Sequence, residues 1–233
     1  MPARHALPLY LQIAEMIIRD INAGRLSDGA RLPPERDYAA DLKVSVGTLR
    51  KALEHLVQKG LIERIHGSGN YIRAKADVES VYAFFRVELL EGGGLPTAEL
   101  LGVKKCTKPG DLPDFGLSDE AWRIRRLRRL NGRAAVLEEI WLDASCAAQL
   151  RARDLSESLY LTYREKLSLW ITRAEDRLSI APVPGWAPEV FGLASGAHSL
   201  LATRISYSRE GQAVEVSRGY IDTSIATYVA RLK

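Results

Sequence analysis

The apolar positions of the first 75 residues follow helical spacing. In LPLYLQIAEMIIRDINAG they recur three and four residues apart, and Gly24 is placed to end that helix. Pro33 and Pro34 favour the start of a second, short helix with Glu35 in its first turn. Ser45 is typical of the N-cap of a third helix, and the segments LIERI and NYIRA, joined by HGSG, predict a hairpin. The buried stripe of the third helix is predicted to consist of Leu49, Ala52, Leu53, Leu56 and Val57.

The pattern changes after the stretch AKADVES, which loses periodicity and is interpreted as a linker. Strand-like runs follow at YAFFRVELL, RIRRLRRL, AVLEEIWL, HSLLATRISYS and AVEVSRGYI, with turns at GGG, NGR and REGQ. Helix-like stretches fall at SCAAQLRARDL, SLYLTYREKL and ITRAEDRLSI. Because hairpin-length turns link several strands, we predict an α+β chain whose second part holds an antiparallel sheet. The predicted division is residues 1–75, a linker at 76–80, and a second domain over 81–233.

Composition narrows the class of protein. A hydrophobic fraction of 46% with 27% charged residues is that of a globular chain rather than a disordered one. The chain shows no apolar run of the roughly 18 residues that a membrane span needs, and its start lacks a signal-peptide pattern, so we expect a cytoplasmic protein. Cys106 and Cys146 form no disulfide framework or metal-binding spacing, and neither a metal nor a cofactor is expected.

Positive charge is confined to the first part of the chain. Residues 1–75 hold 12 Lys and Arg against 8 Asp and Glu, whereas residues 76–233 hold 21 of each. A basic excess in a helical unit is where a DNA backbone would bind, although an excess of this size is also found in domains that bind no nucleic acid.

A helix, a turn and a second helix with a small polar cap is the arrangement that places side chains in a major groove. Arginine can grip guanine through two hydrogen bonds, and hydroxyl groups reach phosphates or bases. The small residues of the hairpin turn suit close approach to DNA. The candidate DNA contacts are Arg36, Ser45, Thr48, Arg50, Lys51, His66, Gly67 and Gly69.

These segments resemble the winged helix-turn-helix of GntR-family regulators. The resemblance rests on PLYLQI, GARLPPERDYAADLKVSVGTLRKALEHLVQKGLI and HGSGNYI, which occur in order over about 70 residues. It implies DNA contacts by Arg36, Thr48 and Arg50, with Gly67 and Gly69 shaping the wing. Val46 departs from the family pattern, which has an arginine after the serine of the turn, so the operator of close relatives does not carry over.

The basic run RIRRLRRL has two interpretations. As a strand it places Arg126 and Arg128 on one face, and Glu138 or Glu139 of the next strand could lie opposite them. The arginines then either form cross-strand salt bridges and nothing more, or clasp the phosphate or carboxylate of a ligand by forked hydrogen bonds.

The second part of the chain resembles the UTRA ligand-binding domain of the HutC-type branch of the same family. The resemblance rests on RRLRRLNGRAAVLEEIWL, SLYLTY, ITRAEDRLSI and GQAVEVSRGYI. It implies a fold similar to chorismate lyase, with a six-stranded antiparallel sheet. The ligand pocket implied by the resemblance comprises Arg126, Arg128, Glu138, Ser158, Tyr160, Glu215 and Tyr220.

Taken together, these patterns predict a homodimeric repressor whose affinity for double-stranded operator DNA is changed by a small anionic metabolite, with no membrane partner. A ligand-dependent activator is an alternative, since the sequence does not give the sign of the coupling. A chorismate-lyase-like enzyme is disfavoured because the sequence contains no nucleophile elbow, phosphate loop or metal cluster.

Overall fold

The computed structural model describes residues 8–73, 82 and 84–231. The chain divides into two compact units. The N-terminal unit comprises the described parts of Ala6–Arg86 and of Ala230–Lys233, together with Gly93–Pro96. The C-terminal unit comprises Val87–Gly92 and Thr97–Val229. The predicted linker at 76–80 lies outside the described residues.

Three helices and a hairpin build the N-terminal unit. They are α1 (Leu9–Asn22), α2 (Glu35–Asp41), α3 (Val46–Gln58), β1 (Ile62–Ile65) and β2 (Gly69–Ile72). The helix-forming residues share one apolar core, to which α1 contributes Ile13, Ile17 and Ile18 and α3 contributes Leu49 and Leu53. The predicted elements of this unit are therefore confirmed.

One residue of the predicted α3 stripe is misplaced. Leu49, Ala52, Leu53 and Leu56 are buried, but Val57 is 36% exposed. Val57 lies one position beyond Leu56, and this rotation of about 100° turns its side chain away from the core. Helix α3 ends directly afterwards, and the predicted stop Gly60 follows with a positive φ of 69°.

The C-terminal unit is a twisted sheet with one covering helix. Its elements are β3 (Val87–Leu89), β4 (Pro96–Thr107, which begins one residue before the unit), β5 (Glu120–Leu130), β6 (Arg133–Asp143), α4 (Leu159–Leu167), β7 (Ile171–Pro182), β8 (His198–Ser208), β9 (Ala213–Ile221) and β10 (Ala226–Tyr228). Six strands form a sheet in the order β4-β5-β6-β9-β8-β7, and β3 pairs with β10. The pairs β5–β6, β6–β9, β9–β8 and β8–β7 are antiparallel. The predicted α+β class with an antiparallel sheet is confirmed.

The hairpin between β5 and β6 shows why the sequence specifies this topology locally. Leu130 pairs with Arg133, so the loop consists of Asn131 and Gly132 alone. Both residues have positive φ, 48° and 79°, as a two-residue loop that matches the strand twist requires.

The two faces of the sheet bury different side chains. Leu159 and Tyr163 of α4 pack against Ile124 and Ile140 on the first face. On the second face, Phe191 packs with Leu127, Leu137 and Tyr220. Because successive residues of a strand point to opposite faces, every pair that is directly opposed in register shares one of these two environments.

Two helix predictions in this unit are wrong. The segment ITRAEDRLSI forms the edge strand β7, since its backbone pairs with β8 from Ile171 opposite Ser208 to Pro182 opposite His198. This non-local ladder overrides the charged, helix-like composition.

The segment SCAAQLRARDL forms two short 3₁₀ turns, Ala144–Cys146 and Ala152–Asp154, instead of a helix. The Asp143 carboxylate accepts a hydrogen bond from the backbone N–H of Ser145, and Asp154 does the same for Arg151. Such local side-chain bonds compete with helix formation.

Two further differences concern strands. The long strand β4 has no counterpart among the predicted elements, because most of its residues are exposed or half-buried and its apolar alternation is weak. Within YAFFRVELL, the described residues form a strand only at Val87–Leu89.

Candidate functional site

The first turn of α3 is organised by its cap. Ser45 Oγ accepts a hydrogen bond from the backbone N–H of Thr48 at 3.1 Å, which confirms Ser45 as the N-cap. The two hydroxyl groups are also 2.8 Å apart. Both candidate contacts are thus held in a fixed geometry at the exposed end of the helix. Val46, in contrast, is half-buried and packs against the core of the N-terminal unit.

The remaining predicted DNA contacts lie on α2, α3 and the wing, which is the hairpin β1–β2 with its turn. The exposed ones are Arg36, Arg50, Lys51, His66 and Gly67. Gly67 and Gly69 have positive φ values of 71° and 136°. A side chain at Gly69 would also approach the Arg31 guanidinium to 3.1 Å, so both the backbone and the space favour glycine there.

Glu35, at the start of α2, joins these elements. Its Oε2 accepts a hydrogen bond from Arg50 Nε of α3 at 2.6 Å, and its Oε1 lies 3.8 Å from Arg64 Nη2 of β1. Asn70 of β2 also hydrogen-bonds to Glu35, and its Oδ1 accepts a bond from Arg64 Nε at 3.3 Å. The hydrogen bond from Arg50 lowers the pKa of Glu35 against the opposing effect of burial. The sequence gave Glu35 only a place in the first turn, because no local pattern reveals a partner 15 residues away.

Two of the predicted effector arginines are bound to one carboxylate. Arg126 Nη2 lies 2.7 Å from Glu138 Oε2, and Arg128 Nε lies 3.0 Å from Glu138 Oε1. Both guanidinium groups also donate to the backbone carbonyl of Glu157, at 3.1 and 3.5 Å. Arg126 and Arg128 are 5% and 4% exposed. Burial opposes ionisation of Glu138, but the two guanidinium groups outweigh it and lower its pKa to about 2.

Glu215 of β9 is the centre of a second buried network on the same face. Tyr163 Oη donates to its Oε2 at 2.6 Å, while Ser206 Oγ and Tyr160 Oη lie 3.0 and 3.3 Å from its Oε1. The hydroxyl groups of Tyr160 and Ser206 are 2.8 Å apart. Burial raises the pKa of Glu215, and the hydrogen bonds from Tyr163 and Ser206 oppose that shift. The network fastens α4 to the sheet.

Arg204 and Asp176 form a third ion pair between β8 and β7. The guanidinium Nε and Nη2 each lie 2.6 Å from an oxygen of Asp176, in a forked arrangement. Tyr228 Oη also donates to Asp176. Sequence reasoning missed this pair because it assigned the segment of Asp176 to a helix. Arg204 alternates with Ser206, and that spacing was the available sign that the two share a face.

The register places these groups in adjacent rows across one face. Glu138 is opposite Gly219, and Gly219 is opposite Ala202. In the next row, Ser217 is opposite Arg204. Gly219, Ala202 and Ser217 are small and only half-buried, so they form an open floor between the ion pairs. We call the six charged residues the ionic cluster: Arg126, Arg128, Glu138, Asp176, Arg204 and Glu215.

Two predicted pocket residues have other positions. Ser158 is the N-cap of α4 and accepts a hydrogen bond from the backbone N–H of Leu161 at 3.3 Å. Tyr220 lies on the opposite face of the sheet, against Phe191 and Leu137, so its grouping with the pocket is wrong. A spacing of five residues from Glu215 in one strand puts the two side chains on opposite faces.

Other features of the described residues stand apart from these groups. A cavity of about 670 Å³ lies in the β4–β5 connection and is lined by residues from 107 to 119, none of which was predicted as a site. The described residues contain no group of three or more His, Cys, Asp or Glu that could hold a metal ion. They also contain no helix that is long and apolar enough to cross a membrane.

A winged helix-turn-helix and a six-stranded sheet that carries a buried polar site define a ligand-responsive class of transcription regulators. Residues 9–72 match the bacterial regulatory proteins of the gntR family, and residues 92–226 match the UTRA domain. The chain therefore belongs to the GntR family, with a UTRA effector domain after its DNA-binding domain.

Known proteins similar to this chain are transcription regulators. The HTH-type transcriptional regulator SmoD of Agrobacterium fabrum is 56% identical over 228 residues, which cover 98% of this chain and 97% of SmoD. The HTH-type transcriptional repressor NagR of Bacillus subtilis is 25% identical, over 96% of this chain and 94% of NagR. The crystal structure of YydK from Bacillus subtilis shares the fold, with a TM-score of 0.53 and 24% identity over 97% of this chain and all of that one. These findings confirm a DNA-binding transcription regulator rather than an enzyme.

Proposed function

We propose that this regulator is a repressor that binds its operator as a homodimer and changes its operator affinity when a small anionic metabolite occupies the ionic cluster. A relative that covers nearly the whole chain, NagR, is named a repressor, which supports the sign of regulation. A dimer is supported by geometry, because one recognition helix reads too few base pairs and two-fold symmetry matches a palindromic operator. Operator binding also supports the expected cytoplasmic location.

The ionic cluster carries the proposal. Three arginines face three carboxylates on a sheet face whose floor is made of small, half-buried residues. Arg126 uses Nη1 and Nη2 within the protein, while its buried Nε has no hydrogen-bond partner among the described residues. A buried donor without a partner is costly, and a ligand oxygen would satisfy it.

Charge within the cluster favours an anion. Burial raises the pKa of Glu215 and favours its neutral form, in which the cluster carries one excess positive charge. Glu138 and Asp176 supply acceptors for hydroxyl groups of the same ligand. We therefore infer a small metabolite that has a phosphate, phosphonate or carboxylate group at one end.

Binding at the cluster would regulate DNA affinity through the difference in ligand affinity between two domain arrangements. An effector that favours the arrangement with the wrong half-site spacing releases the operator. The predicted DNA contacts, with Arg36, Arg50 and Lys51 exposed, and the predicted domain boundaries belong to the same proposal.

A thermal-shift screen of phosphorylated, phosphonate and carboxylate metabolites tests the ligand class. Arg126→Gln/Glu138→Gln removes one ion pair without leaving an uncompensated charge. The matched control is Arg125→Gln/Glu139→Gln, which removes a pair of 2.8 Å on the opposite face. We expect anionic compounds to stabilise the wild type and the control but not the first variant. Equal stabilisation of all three proteins, or hits among neutral compounds only, would refute the anion site.

Electrophoretic mobility shift with DNA from upstream of the gene tests the regulation. We expect a shifted band that survives competitor DNA at moderate salt and that a stabilising compound dissociates. Sequence-indifferent binding would contradict the operator assignment, and a compound that strengthens binding would show a ligand-dependent activator or co-repressor instead.

A further inference from the structure

We propose that Glu35 is a specificity-determining positioning residue, which holds Arg50 of the recognition helix and the wing in one arrangement and thereby raises discrimination of the operator at the expense of total affinity for DNA. This inference rests on the proposed contact of Arg50 with DNA.

The contacts of Glu35 reach every element of the DNA-binding surface. Its carboxylate belongs to α2, and it binds Arg50 of α3 at 2.6 Å. It also lies 3.8 Å from Arg64 of β1 and hydrogen-bonds Asn70 of β2, which is 6% exposed. Arg64 and Asn70 bond each other at 3.3 Å, so the network closes on itself. One carboxylate therefore sets the position of the recognition helix arginine relative to the wing.

Electrostatics make a carboxylate at this place unfavourable for binding DNA as such. It repels phosphate groups and occupies two arginines that could otherwise neutralise them. Fold stability offers little compensation, because the Arg50 side chain is 64% exposed and the Arg64 side chain 51% exposed, and exposed ion pairs contribute little to folding. The benefit that remains is orientation.

An arginine side chain has several rotatable bonds, and fixing it before binding removes an entropic penalty from the base contact. The bond from Arg50 to Glu35 engages Nε. It leaves the terminal amino groups, which can pair with guanine O6 and N7, for the DNA. A free Arg50 would instead find the nearest phosphate, which carries no sequence information.

The test compares specific with non-specific affinity in the full chain. An operator is first obtained by in-vitro selection with the wild type, and dissociation constants are measured by fluorescence anisotropy for it and for a scrambled duplex across a salt series. The variant is Glu35→Gln. Asp37→Asn is the matched control, since it removes an acidic charge from the same first turn of α2.

We expect Glu35→Gln to lower operator affinity by about tenfold while affinity for the scrambled duplex is unchanged or increased. The salt dependence of scrambled-duplex binding should steepen by about 0.9 for each arginine freed to contact a phosphate. Asp37→Asn should change both affinities by the same factor. Glu35→Asp, which keeps the charge, should retain part of the discrimination.

Two results would overturn the inference. An unchanged ratio of operator to scrambled affinity in Glu35→Gln would show that Glu35 sets no specificity. Proportional loss of both affinities with a lower melting temperature would assign it to folding alone. Arg50→Ala separates the levels of the argument: if it leaves the ratio unchanged, the DNA contact proposed for Arg50 fails and the inference falls with it. If Arg50→Ala lowers the ratio and Glu35→Gln does not, only the inference fails.

Discussion

Replacing Tyr163 by phenylalanine tests how strongly the buried Glu215 network holds α4 to the sheet. Tyr163 is fully buried and Glu215 is 2% exposed. Within the part of the chain that the structure describes, Glu215 Oε2 accepts a hydrogen bond only from Tyr163, at 2.6 Å. Tyr163→Phe keeps the ring and removes only the hydroxyl group. The carboxylate oxygen then stays buried without its donor.

The expected loss follows from the charge of the acceptor. Hydrogen bonds to ionised groups contribute about 1.5–3 kcal/mol, against about 1 kcal/mol between neutral groups. Ser206 and Tyr160 remain on Oε1 and keep the carboxylate partly solvated. We therefore expect the free energy of unfolding to fall by about 2 kcal/mol at neutral pH.

The loss should depend on pH. The hydrogen bond from Tyr163 lowers the pKa of Glu215, so its removal raises the folded-state pKa further above the unfolded value. The wild type and the variant then differ most where Glu215 is ionised in the wild type. As the pH falls through that raised pKa, the carboxyl is neutral in both proteins and the difference shrinks.

Urea unfolding followed by tryptophan fluorescence measures this difference. All four tryptophans, at 122, 141, 170 and 186, belong to the C-terminal unit, so the fluorescence reports on that unit. Tyr207→Phe is the matched control, because the Tyr207 ring packs on the Arg173 guanidinium and phenylalanine retains that contact. A loss in Tyr163→Phe no larger than in the control, or one that is equal at pH 5 and pH 8, would refute the reasoning.

Three further substitutions follow from the structure. Glu138→Gln leaves Arg126 and Arg128 buried without their carboxylate, so it should lower the free energy of unfolding by ~3 kcal/mol. Because the folded-state pKa of Glu138 is depressed to about 2, its contribution in the wild type should be lost as the pH falls from about 4.5 to about 2 in an acid titration, and a wild type insensitive to this range would contradict it. Ser45→Ala removes the cap of α3 and should cost about 1 kcal/mol by scanning calorimetry, whereas Ser45→Gly should cost less. Gly116→Ala forces a Cβ into the buried Asp143 carboxylate at a positive φ of 66°, so it should destabilise the C-terminal unit by more than about 2 kcal/mol, while alanine at the exposed Gly102 should not.

Sequence reasoning succeeded where the determining interactions are local. The helical spacing of α1 and α3 and the Asn131-Gly132 turn lie within a few residues of one another. A capping hydroxyl acts three positions away, as Ser45 does on Thr48. Alternation along β5 was enough to put Arg126 and Arg128 on one face, and the short turn to β6 brought Glu138 opposite them.

The main errors arose where the register of the sheet overrode local composition. Helix propensity favoured ITRAEDRLSI as a helix, but the backbone hydrogen bonds of β7 run to β8, which lies beyond a connection of 15 residues. Tyr220 was assigned to the pocket although its parity within β9 turns it to the other face. Strand pairing is non-local, so no window of sequence contains it.

By itself the sequence therefore determined that the chain has a winged helix-turn-helix followed by an antiparallel-sheet effector domain, because periodicity, caps and ordered motifs are properties of neighbouring residues. Only the tertiary structure decided which charges meet. Glu35 and Arg50 are 15 residues apart, Asp176 and Arg204 are 28 apart, and Tyr163 and Glu215 are 52 apart. Each pair is selected by packing and strand register, which bring distant groups within hydrogen-bond distance and bury them enough for their charges to matter.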